Sequence, residues 1–104
     1  MSDLTPAEDD VSARVHLFGA RARALASVGR LEEAEELARD AVQHARTTDF
    51  LVMSGDSYCD LAAVLRCGGR VDEARRLLEE ALQAYRQKQH IVAIGRTGNL
   101  LDRL

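Results

Sequence analysis

At 104 residues, with 46% hydrophobic and 30% charged side chains, the chain has the composition of one soluble globular domain, large enough to bury roughly 65% of its unfolded surface. A net charge of −3 gives no general attraction to phosphate backbones, which excludes nucleic acid as the expected partner. The longest apolar runs, Phe50 to Met53 and Leu61 to Leu65, are far too short for a membrane span, and the N-terminus lacks the basic and apolar regions of a secretory signal.

Residues 1–9 are expected to be a flexible N-terminus or the start of a helix. Thr5-Pro6-Ala7-Glu8 has the form of a capping box, with Pro6 in the tolerated first helical position and Glu8 reaching back, and a later start at Asp9 or Asp10 is the alternative. The first helix then runs to about Val28, with Val11, Val15, Phe18, Ala22 and Leu25 at three- and four-residue spacing and Arg14, Arg21 and Arg23 on its other faces. A second helix covers Leu31 to about Arg46. Its apolar face holds Leu31, Ala34, Leu37, Ala38, Ala41, Val42 and Ala45, and its glutamates come early and its basic residues late, as the helix dipole favours.

Thr47-Thr48-Asp49 reads as a cap for a third helix from Phe50 to about Cys67, in which Phe50, Met53, Tyr58, Leu61, Ala62 and Leu65 share a face and Ser54, Gly55 and Asp56 weaken the first turns. The fourth helix, Val71 to about Gln87, repeats the second, with Val71, Ala74, Leu77, Leu78, Ala81, Leu82 and Tyr85 inward. Gln89-His90 make a short break before a last helix, Ile91 to Leu104, weakened by Gly95 and Gly98 at roughly 1 kcal/mol each against Ala. Ile94, Leu101 and Leu104 are placed to lie on the preceding pair.

Gly29-Arg30-Leu31-Glu32-Glu33-Ala34 and Gly69-Arg70-Val71-Asp72-Glu73-Ala74 are near copies forty residues apart. In each, a glycine closes one amphipathic segment where a left-handed residue is cheapest without a Cβ, and acidic residues open the next. Each copy therefore predicts a helix-turn-helix corner. The fold class is all-α: tandem antiparallel hairpins in one domain over residues 10–104, with repeat 1 at about 10–46, repeat 2 at about 49–87 and a closing helix at about 91–104.

This pattern resembles the tetratricopeptide repeat family, a helical solenoid built from such hairpins. The residues that carry the resemblance are Tyr58, Leu61-Ala62, Leu65, Gly69, Ala74, Leu78 and Ala81 in the second copy, and Phe18, Arg21-Ala22, Leu25, Gly29, Ala34, Ala38 and Ala41 in the first. Small residues at Ala22 with Ala34 and at Ala62 with Ala74 let paired helices approach closely. The chain departs from the family in its forty-residue period, against ~34, in having Arg46 and Arg86 where a terminal Pro is usual, and in Arg21 and Ala38, which are poor core residues. The extra length is expected at the start of the third helix, Phe50 to Gly55, and HEAT-like repeats of roughly 40 to 47 residues are the alternative. More narrowly, Ala22 to Leu82 is similar to the C-terminal tetratricopeptide arrays of large bacterial signalling and transcriptional regulators, without their catalytic or DNA-binding segments.

The resemblance implies a groove lined by the first helix of each pair. Carried over by position, its residues are His16, Gly19, Arg23, Ala26 and Ser27, then Asp56, Cys59, Ala63, Arg66 and Cys67. Arg23 and Arg66 are the candidates to hold a partner carboxylate, because guanidinium offers a planar two-pronged donor. The Asn and Lys pattern of the family's carboxylate clamp is missing.

Cys59 and Cys67 stand about 12 Å apart on one helix at ~1.5 Å per residue, beyond disulfide reach, which suits a reducing cytoplasm. With His16, His44 and His90 they lack the paired short spacings of a zinc site. No base and oxyanion pocket are indicated for a cysteine nucleophile, and the glutamates of residues 32–36 and 79–80 read as solvated charges. Lys88 is the only lysine beside many arginines, a composition expected of a GC-rich bacterial genome. The expectation is a non-enzymatic module without metal or cofactor that binds a peptide or helix of another protein. Its alternative is a structural domain that self-associates through its solenoid ends, where the first helix, or the last with Ile91 and Val92, would expose an apolar face unless another chain covers it.

Overall fold

A computed structural model describes the chain from Ala7 to Leu104, with side chains from Val11 onward. The capping box at residues 5–8 and the reading of residues 1–9 as a flexible or helix-starting N-terminus concern residues whose caps and side chains lie outside that description. Five helices follow one another: α1 Ala7–Ser27, α2 Leu31–Arg46, α3 Leu51–Cys67, α4 Val71–Gln87 and α5 Ile91–Arg103. α1 pairs with α2 and α3 with α4, α3 also lies against α1 and α2, and α5 lies on α4.

Gly29 (φ 86°) and Gly69 (φ 82°) are left-handed, and each turns its corner by the same pair of hydrogen bonds. The Gly29 N–H donates to the Ala26 carbonyl and Arg30 N–H to Leu25; forty residues on, Gly69 donates to Arg66 and Arg70 to Leu65. This closes the last carbonyls of a helix without side-chain help. A third corner uses the same bonds, Gln89 to Arg86 and His90 to Tyr85, but places a glutamine at φ 55°. The short break at Gln89-His90 is thus the third member of the series. The new helices after the two glycine corners have no side-chain cap, and Arg30 and Arg70 instead pair with Glu33 and Glu73 three residues on, both at 2.6 Å. α5 starts with a true cap, the His90 ring nitrogen accepting from Ala93 N–H at 3.2 Å.

The α2–α3 link differs from the expectation. Thr47 and Thr48 donate their hydroxyls back to the carbonyls of His44 and Ala45, at 2.7 and 2.8 Å, so they close α2. The cap position of α3 is Phe50, without a side-chain cap bond. The extra residues of the long period are likewise not gathered at the start of α3, since α3 and α4 have 17 residues each and α2 has 16.

The core is made of small residues in close register. Ala22, Ala34, Ala38 and Ala81 are fully buried, and Ala62 and Ala74 nearly so. Ala38 is therefore a core residue here, contrary to its poor ranking in the motif. α3 is covered on three sides, and its Ser54, Gly55, Ser57 and Cys59 are buried together with Leu61, Val64 and Leu65. The Ser57 hydroxyl donates to the Ser54 carbonyl at 2.8 Å, which removes the cost of burying it. Gly55 weakens the helix locally but seats the ring of Tyr85, whose Cε1 and Cζ would lie 2.8 Å from a Cβ there.

On the outer side α2 and α4 are joined by a closed ring of charges. Arg39 bridges Glu35 and Glu73 at 2.7 and 2.8 Å, and Arg70 bridges the same two carboxylates at 2.6 Å each. Arg46 approaches Glu80 at 3.8 Å. Glu35 is thus not merely a solvated charge, being paired with both Arg39 and Arg70, while Glu80 stays half-exposed beside Arg46.

Candidate functional site

The forty-residue period continues beyond α4. Leu51-Val52 return as Ile91-Val92, Gly55 as Gly95, Ser57 as Thr97 and Leu61 as Leu101, and the caps Phe50 and His90 keep the same interval. α1, α3 and α5 are therefore three first helices in one phase. Side chains that share a phase line up across them, and two such rows line an open cavity of about 590 Å³: His16, Asp56 and Arg96 form one, and Ala20, Asp60 and Leu100 the other. Arg23, Cys59 and Tyr85 complete its wall. A smaller recess of about 80 Å³ adjoins it, lined by Ala63 and Arg66 with Ala62, Leu78, Leu100 and Leu104.

The two helix junctions beside the cavity are filled differently. Between α1 and α3, Gly19 is buried against Asp60, and a Cβ at Gly19 would run into that carboxylate. One period on, Cys59 and Leu100 hold those positions, and α5 lies on α4 without a comparable approach to α3.

The anions of the cavity are already engaged. Asp60 accepts from Arg23 Nε at 2.5 Å, so Arg23 is not the uncommitted carboxylate holder that its position promised. Asp56 accepts from the Tyr85 hydroxyl at 2.5 Å and faces His16 Nε2 at 3.5 Å. The Tyr85 side chain is fully buried, and burial first, then the Asp56 carboxylate, drives its ionisation far above the ordinary tyrosine range, so it acts as a fixed donor. Cys59 Sγ lies 3.9 Å from both the Tyr85 and Thr97 hydroxyls. Burial pushes its thiol up despite these donors, and the neutral thiol is a poor nucleophile with no base in contact. Arg66 and Arg96 make no ion pair among the described residues. The arrangement therefore offers two uncommitted guanidinium groups beside a small apolar recess, which suits a carboxylate next to an apolar side chain.

Of the predicted site residues, His16, Arg23, Asp56 and Cys59 line the main cavity, and Ala63 and Arg66 the recess. Ser27 lies in neither, its hydroxyl donating to the Ala24 carbonyl at 2.7 Å. Gly19 and Ala26 are buried and Cys67 is exposed outside both cavities. Sequence reasoning missed Ala20, Asp60, Arg96, Leu100 and the hydroxyl of Tyr85. Extending the period one step further reaches Arg96 and Leu100; the spacing of Tyr85 predicts a core residue, and its ring does sit in the core. Among the described residues no group of three or more His, Cys, Asp or Glu converges, and no helix is long and apolar enough to cross a membrane.

No characterised protein and no solved structure matches the chain at a significant level. The family model described as tetratricopeptide repeat matches residues 12–87, most of the chain, and that span covers both hairpins and both glycine corners. With five helices in hairpin order and first helices in one phase, the chain belongs to the tetratricopeptide repeat family.

Proposed function

We propose that this chain is a protein–protein interaction module that takes a short segment of a partner, peptide or helix, into the groove between α1, α3 and α5. The observation that carries the reading is the pair Arg66 and Arg96, uncommitted on the groove wall while every acidic side chain beside them is engaged. A segment with a carboxylate adjoining an apolar residue fits both the charge and the recess under Leu100 and Leu104. In this reading the chain works without catalysis or cofactor as the adaptor portion of bacterial cytoplasmic signalling, akin to the arrays of large regulators. Peptides selected by display on the wild-type chain are expected to carry that acidic-apolar pair and to lose binding to a variant with Arg66→Glu and Arg96→Glu whose helicity is unchanged. Selected peptides without acidic residues, or binding that the variant retains, would remove the groove from consideration.

A second reading, self-association, is favoured by Ile91 and Val92, which are 79% and 72% exposed at the start of α5. Light scattering at high micromolar concentration decides it, since a strict monomer leaves no homodimer to explain.

A further inference from the structure

On its side away from α2, α4 presents the same positions through which α2 receives α4. On α2 these are Glu35, Arg39 and Arg46, which take Arg70, Glu73 and Glu80. One period later α4 carries Arg75, Glu79 and Arg86, and none of the three has an ion pair among the described residues. Two of the three signs are inverted. Beside them α5 repeats the seat that α3 offers to α4, with the seat left open. Leu61 of α3 is 2% exposed, whereas Leu101 at the same phase of α5 is only half-buried. Gly55 of α3 is filled by the Tyr85 ring, but a Cβ on Gly95 would meet open space.

We infer that the edge formed by α4 and α5, separate from the groove, is a docking ledge for one amphipathic helix of a partner protein. The register dictates its chemistry. The occupant carries an acidic residue facing Arg75, a basic residue three positions later facing Glu79, an acidic residue seven further on facing Arg86, and an aromatic five beyond that over Gly95. This is the spacing of Arg70, Glu73, Glu80 and Tyr85 with the first two charges exchanged. A second copy stacked in the same way is disfavoured, because Arg30 or Arg70 would face Arg75, and Glu33 or Glu73 would face Glu79; like charges at such positions repel.

The test uses the full chain and fluorescent hydrocarbon-stapled peptides of residues 70–87, shown to be helical beforehand. One peptide keeps its natural charges and the other has Arg70→Glu and Glu73→Arg. By anisotropy the charge-exchanged peptide should bind about tenfold more tightly than the natural one, the scale of two gained and two repelled surface pairs. The preference should reverse on a protein variant with Arg75→Glu and Glu79→Arg, and Tyr85→Ala in the exchanged peptide should weaken it about tenfold. Equal affinity for the two peptides, no measurable binding by the exchanged one, or a preference that the protein variant does not reverse overturns the proposal. A dimer that the same variant dissolves also overturns it, assigning the ledge to a second copy.

Discussion

The junction of α1 with α3 and the junction of α3 with α5 are laid out on one forty-residue plan and end in different states. In the first, Gly19 lets the Asp60 carboxylate come against the α1 backbone, Arg23 captures that carboxylate, and α2 and α4 cover the outside. In the second, Cys59 and Leu100 stand where Gly19 and Asp60 did, α5 stays on α4, and an open cavity results. Repetition of backbone geometry therefore does not entail repetition of packing. At the closed junction a missing Cβ and one charge pair fill the space between neighbouring first helices.

The comparison is broken most directly at the equivalent glycines. Gly55→Val should destabilise the chain by about 1–3 kcal/mol through collision with the buried Tyr85 ring. Gly95→Val, where the same atom meets open space, should change stability by no more than about 0.5 kcal/mol. Urea unfolding of the two variants measures the contrast, and equal losses would falsify the claim that one seat is filled and the other empty.

The corners permit a smaller test. Gln89 adopts at φ 55° what glycine supplies at the other two corners, and a side chain there is strained. Gln89→Gly should therefore stabilise by about 0.5–1 kcal/mol, read as a higher urea midpoint at unchanged slope, and Gly29→Gln or Gly69→Gln should lose a similar amount. A Gln89→Gly variant no more stable than the parent would mean that the third corner is not strained.

The smallest effect belongs to the outer ring of charges. Hydrogen bonds from Arg39 and then Arg70 hold the Glu73 carboxyl below its usual range. A carboxylate whose folded pKa is depressed adds stability above its unfolded pKa and loses it as pH falls through the folded value. The ring's contribution should thus be constant near neutrality and decline below about pH 4.5, the ordinary carboxylate value, and it should weaken with salt because the ring is on the surface. Glu73→Gln should flatten that acid limb of the stability curve. An unchanged limb would place the acid sensitivity elsewhere.

Much of the architecture was legible because it depends on local chemistry. The glycine corners announced left-handed residues, the alanines at Ala22, Ala34, Ala62 and Ala74 announced close helix pairs, and α2 and α4 carried broad apolar stripes. α3 was harder to read for a physical reason. A helix covered on three sides buries Ser54, Gly55 and Ser57 as well as leucines, so its sequence loses the one-sided pattern that marks a surface helix. The site was legible in part. His16, Asp56, Cys59 and Arg66 are reached by carrying over the groove that the family resemblance implies, but the capture of Arg23 by Asp60 joins residues 37 apart, and no spacing rule connects them.

By itself the sequence determined the helices, their corners and the period that sets α1, α3 and α5 in one phase, because turn chemistry and apolar spacing act over a few residues. Only the tertiary structure decided which arginines remain uncommitted, where the Tyr85 hydroxyl ends and which glycine seat is occupied. Those outcomes depend on the distance between helices, which packing of side chains far apart in the chain sets.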